Sequence, residues 1–155
     1  MIKQPISLNY MKNCEDICRY IEGGRGIVRL EAPSGNYHNY AFLRPREPSE
    51  FPVDVVFVYT VHDDGKQHYI GMMERSQFRL TKHSRYLDDN EIVKGARYIV
   101  RMAHNQFLCN TTPMKLYNWG ICCRCGRPLH DIKWRYKGIG KKCLELNEGH
   151  HYVAS

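Results

Sequence analysis

The sequence predicts an α+β protein, a small antiparallel sheet with two helices followed by a compact C-terminal module built on cysteine. Three observations predict it. Runs of alternating apolar and β-branched residues recur between positions 26 and 80, separated by turn residues. A run at helical spacing follows, with Ile92, Ala96, Ile99, Val100 and Ala103 on one face. Cysteine then gathers in the last third, as Cys122, Cys125 and Cys143.

The first element is a short helix. Asn13 can cap it, and Glu15 and Asp16 sit in its first turn, where the helix dipole favours acids. Ile17, Tyr20 and Ile21 form its apolar face, and Gly23-Gly24 ends it. Cys14 and Cys18, four residues apart on this helix, read as small apolar core residues.

Residues 26–31 alternate in part, Pro33-Ser34-Gly35-Asn36 turns the chain, and residues 37–43 alternate again, which is a hairpin pattern. Three prolines between Arg44 and Pro52 mark a loop. Residues 53–62 are the most strand-like stretch, and Asp63-Asp64-Gly65 turns them into residues 67–74 as a second hairpin. Phe78-Arg79-Leu80 adds a short fifth strand, so a four- or five-stranded sheet is the economical reading. Asp88 or Asp89 caps the second helix, whose other side carries Lys94, Arg97 and Arg101 as a solvated face. The domain boundaries that follow are a sheet domain over 1–108, a linker over 109–118 containing Asn-Thr-Thr-Pro, and a metal-binding module over 119–155.

The 155 residues include 43% apolar and 25% charged side chains, ordinary proportions for a globular protein. No run of about 18 apolar residues exists to cross a membrane, and the N-terminus has no apolar stretch of signal-peptide length. A cytoplasmic location is therefore expected. In a reducing compartment, seven cysteines point to metal rather than to a disulfide framework. The formal net charge is +7 and is unevenly spread. Residues 1–115 carry 16 Lys/Arg against 13 Asp/Glu, whereas residues 116–155 carry 7 against 3. That bias suits a polyanionic partner.

Cys122-x-x-Cys125-Gly126 has the form of a zinc knuckle, two thiolates on a tight turn with a glycine that lets the chain reverse. A structural zinc ion needs four ligands. Cys143 supplies the third, at the start of a short helix whose dipole stabilises a thiolate. Residues 132–136 alternate and read as a hairpin between them, an order that matches a treble-clef zinc finger. The fourth ligand is left among His150, His151, His130, Cys109 and Cys123, with His150 or His151 preferred. Cys123 lies inside the knuckle turn and should point away from the metal. Zinc is thus the expected cofactor, in a structural role.

At these residues the chain resembles a family of short phage and bacterial proteins that end in a domain of unknown function. The shared pattern is C-x-x-C-G-R-x-L, then G-I-G-x-x-C. Here it is Cys122, Cys125, Gly126, Arg127 and Leu129, then Gly138, Ile139, Gly140 and Cys143. Gly35-Asn36-Tyr37 and His68-Tyr69-Ile70-Gly71 resemble the strands that precede the domain. Lys141 stands where the family often has proline, and His130 where it usually has threonine. The resemblance implies a phage or mobile-element origin, with host cytoplasm as the location, and a treble-clef-like finger. It implies no activity.

The residues themselves suggest a non-catalytic accessory protein that binds nucleic acid or a nucleoprotein complex. Arg124, Arg127, Lys133, Arg135, Lys137, Lys141 and Lys142 surround the cysteines, interleaved with Trp134 and Tyr136, a combination suited to phosphates and unstacked bases. The alternative is an inhibitor of a host defence or nuclease complex, of anti-CRISPR or anti-restriction type, acting through protein contact. Tyr37, Tyr40, Phe57, Tyr59 and Tyr69 could then supply aromatic anchors. Neither reading involves a membrane or a small-molecule substrate. No Walker loop, G-x-S-x-G or paired-carboxylate spacing accompanies the cysteines, and His130-Asp131 and His150-His151 are the sole candidates for catalysis beside them.

Overall fold

The computed structural model describes residues 3–45 and 54–146. Strand β1 (Asn9–Tyr10) precedes helix α1 (Cys14–Glu22). The strands β2 (Arg25–Glu31), β3 (Tyr37–Leu43), β4 (Val56–Val61), β5 (Gln67–Glu74) and β6 (Gln77–Leu80) follow as a continuous antiparallel meander. After it come α2 (Glu91–Ala103), α3 (Gln106–Thr111), strand β7 (Lys115–Asn118) and α4 (Ile132–Lys137).

The sheet has seven strands in the order β1-β7-β2-β3-β4-β5-β6, every pair antiparallel. Both expected hairpins and the short fifth strand are present. The two further strands come from segments without a sequence pattern. β7 returns from the C-terminal side to pair with β2, and β1 then pairs with β7. Residues 109–118, expected as a linker, thus include the end of α3 and the whole of β7.

The period-two alternation of the strands sorts their side chains onto two faces. Val28, Leu30, Tyr40, Phe42, Val58 and Ile70 share one apolar cluster with Ile17, Tyr20 and Ile21 of α1 and Val93, Ala96, Ile99 and Val100 of α2. Ile27, Ala41 and Val61 form a second, smaller cluster with Trp119 and Ile121. Asn13 caps α1, its side-chain oxygen accepting from the Glu15 amide at 2.8 Å. The cap of α2 is Asn90 rather than Asp88 or Asp89, and its side chain accepts from the Ile92 amide at 2.8 Å. An uncharged amide side chain performs this duty as well as a carboxylate. Among the described residues no helix is long and apolar enough to cross a membrane.

Candidate metal centre

Leaving β7, the chain forms a tight reversal. Ile121 bridges to Pro128, the Cys122 amide donates to the Arg127 carbonyl at 2.8 Å, and the Gly126 amide donates to the Cys122 carbonyl at 2.9 Å. Gly126 takes a φ of 78°, a left-handed conformation in which any side chain would be strained. Cys122 and Cys125 therefore project from one knuckle, as their spacing predicts.

The next segment differs from the hairpin its alternation predicts. Residues 132–137 form helix α4. Asp131 caps it by accepting from the Lys133 amide at 2.9 Å, and Gly138 closes it with a φ of 72° and an amide that donates to the Trp134 and Arg135 carbonyls. With both ends capped, six residues hold a helix despite their alternating pattern. Residues 141–146 are helical again, with the Leu144 amide donating to the Gly140 carbonyl at 2.8 Å. Cys143 lies in this first turn.

The Sγ atoms of Cys122, Cys125 and Cys143 lie within 4.8 Å of one another. Tetrahedral zinc with bonds of about 2.3 Å separates its sulfurs by about 3.8 Å. This triad can hold a metal ion such as zinc. The Gly140 amide approaches the Cys122 sulfur at 3.4 Å. Burial opposes ionisation of Cys122, but the amides of Gly140, Cys125 and Arg124 and the Cys125 side chain outweigh it and lower its pKa. The Cys143 thiol is pushed up to about 12, by burial first and then by Cys122 and Cys125. A first thiolate is stabilised by the backbone, whereas a second beside it needs a cation.

Other proposed ligands are placed elsewhere. Cys123 is buried, its thiol pushed up to about 12 by burial and then by the neighbouring Cys122, and it stands outside the triad. The Cys109 thiol donates to the Lys12 carbonyl at 3.2 Å. His130 is exposed and also outside the triad. His150 and His151 lie outside the described residues. Within those residues the cluster thus has three cysteine ligands and no fourth His, Cys, Asp or Glu.

The knuckle is bonded to the sheet domain by residues that carry no motif. The Tyr20 hydroxyl donates to the Ile121 carbonyl at 3.1 Å, and Arg19 donates to the Lys137 carbonyl at 2.7 Å. The Arg25 amide donates to the Cys123 carbonyl at 2.7 Å. These partners become neighbours only when α1 and the start of β2 lie beside the C-terminal segment, so no spacing in the sequence signals them.

Six of the seven candidate cations, Arg124, Arg127, Lys133, Lys137, Lys141 and Lys142, are exposed. Arg135 is half-buried, and its Nε donates to the Leu129 carbonyl at 2.7 Å, which gives it a packing role. The ammonium groups of Lys133 and Lys137 lie 5.1 and 5.2 Å from the Trp134 ring centre, within cation–π range. Of the sheet aromatics, Tyr40 is fully buried and Tyr37 exposed, while Phe57, Tyr59 and Tyr69 are half-buried and pack edge-on together.

Comparison with known proteins finds no matching family model, no matching curated protein and no matching solved structure. The resemblance of the cysteine segment rests on its motif.

Proposed function

We propose that this chain is a non-catalytic accessory protein whose structural zinc site displays a basic surface to nucleic acid or a nucleoprotein complex. The observation that carries this reading is the exposure of six Lys and Arg side chains on the segment that contains the cysteine triad. Phosphates attract such cations, and counterion release makes the binding depend steeply on salt. His150 as the fourth zinc ligand would close the site, as a structural zinc requires. A non-catalytic role is supported by Asp131, whose carboxylate is engaged in capping α4. The motif's resemblance adds a phage or mobile-element origin to the proposal.

A salt titration of zinc-loaded protein on short single- and double-stranded DNA and RNA tests it. For a duplex, every phosphate that a substitution leaves without its cation should reduce the slope of log K against log salt by about 0.9. Changing Lys133, Lys137, Lys141 and Lys142 to Ala should therefore flatten the dependence and weaken binding to all sequences alike. Absence of binding at low salt would defeat the reading.

A second reading, an inhibitor that docks on a host protein complex, is favoured by a different surface. Ile6, Leu8 and Tyr10 are exposed on the N-terminal segment, and the Tyr10 ring rests 5.9 Å from that of Tyr117. Association with a host complex that survives nuclease digestion and disappears on Tyr10→Ala would favour this reading over the first.

A further inference from the structure

The C-terminal cysteines are not the sole place where metal-binding side chains converge. Cys18 and Glu22 stand at i and i+4 on α1, the spacing that brings two side chains together on one helical face. His104 is the C-cap residue of α2, the helix packed beside α1. The Cys18 Sγ, a Glu22 carboxylate oxygen and a His104 ring nitrogen lie within 4.8 Å of one another.

From these three side chains we propose a second metal site, one that takes a borderline divalent ion of the zinc, cobalt or nickel class. The sulfur of Cys18 lies 3.9 Å from His104 Nδ1. That is near the outer limit of a hydrogen bond to sulfur. It is close to the roughly 3.6 Å that sulfur and nitrogen keep when both bind one tetrahedral zinc ion. Thiolate, imidazole and carboxylate together suit zinc and its neighbours, whereas calcium and magnesium favour oxygen alone.

The site differs from the triad in what surrounds it. His104 is exposed, and Cys18 and Glu22 line an open cleft of about 820 Å³ that also reaches Ala103. Three protein ligands leave a tetrahedral ion one position for a water or an exchangeable ligand. An ion there would exchange with solvent more readily than one held by the knuckle, where Cys122 is buried and bonded by the Gly140 amide.

The test uses the full chain, stripped of metal under reducing conditions and titrated with cobalt and then with zinc. Two equivalents are expected, the tighter with intense sulfur-to-cobalt charge-transfer absorption from several thiolates and the weaker with the smaller intensity of one. His104→Ala, at an exposed position, should weaken the second equivalent at least about tenfold, since removing even a residue that only supports a ligand costs that much. Cys18→Ala should remove the weaker sulfur absorption and leave the stronger unchanged. Uptake of one equivalent by the wild type, or a second equivalent that persists in both variants, would overturn the proposal. The triad answers separately, because Cys125→Ser should weaken the intense absorption by the loss of one of its three thiolates and leave the weak one unchanged.

Discussion

The side-chain amide of Asn118 donates to the Arg135 carbonyl at 2.9 Å, which fixes the last strand of the sheet to helix α4. Asn118 is fully buried, and its oxygen accepts from the Gly120 amide at 2.9 Å and from the Asn9 side chain at 3.1 Å. One amide thus joins β1, the entry to the knuckle, and α4. Replacing Asn118 with Ala would leave buried donors and acceptors unpaired, each costing about 1–3 kcal/mol. Urea unfolding of Asn118→Ala should show a destabilisation of about 2–4 kcal/mol with little change in the denaturant slope. A destabilisation under about 0.5 kcal/mol would mean that water replaces all three bonds.

Elements with strong local patterns are legible in the sequence. α1 carries its cap and its apolar face within nine residues, and both hairpins have turn residues between alternating runs. β7 cannot be read in this way. Its four residues, Lys-Leu-Tyr-Asn, are too few to establish a period, and their partner is β2, far earlier in the chain. α4 misleads because Ile-Lys-Trp-Arg-Tyr-Lys alternates and is rich in strand-favouring residues. The deciding signals are at its ends, Asp131 as cap and Gly138 in the left-handed region. At the candidate site, the spacing announces Cys122, Cys125 and Cys143, whereas the second trio leaves only Cys18 and Glu22 at helical spacing. Joining His104 to them requires the packing of α2 on α1.

Tyr20 gives a prediction with a pH signature. Its hydroxyl is fully buried against the Ile121 carbonyl, and burial, followed by the nearby Cys123, raises its pKa well above the usual value of 10.0. The folded state therefore holds the neutral phenol. The stability this contributes is intact below about pH 10 and is lost as pH rises towards the folded-state pKa, because the unfolded chain ionises first. Tyr20→Phe should cost about 1–2 kcal/mol at neutral pH through the unpaired carbonyl. It should also flatten the decline of stability between about pH 9 and 11. Identical alkaline profiles for the two proteins would show that the phenol does not control this limb.

The cysteines should separate by reactivity. Cys123 is 1% exposed and its thiol is pushed up to about 12, so it is both shielded and protonated at neutral pH. Cys125 is exposed on the knuckle turn. Timed alkylation of metal-free protein, read by mass spectrometry, should label Cys125 early and Cys123 last. Zinc should then protect Cys125 and Cys143 and leave the order of the remaining thiols unchanged. Equal labelling of Cys125 with and without zinc would contradict its role as a ligand.

Metal removal should reach beyond the C-terminal segment. The sequence alone suggests that chelation loosens the cysteine module while the sheet survives. Yet Cys122, Cys123, Leu129 and Ile139 share one apolar cluster with Ile17, Tyr20 and Ile21 of α1. Loss of the ion should therefore lower the melting temperature of the whole transition, by about 2–4 °C for each kcal/mol the metal contributes in a chain of this size. Binding should also be proton-linked. Without a cation, the Cys143 thiol is pushed up to about 12 and stays protonated at neutral pH, so coordination must release that proton. Affinity should accordingly rise with pH, by about tenfold per unit for each proton released. Competition with a chelator of known affinity at about pH 6.5 and 7.5, corrected for the chelator's own protonation, measures that slope. A pH-independent affinity would mean that the sulfurs are already thiolates in the metal-free protein, or that they do not bind the ion.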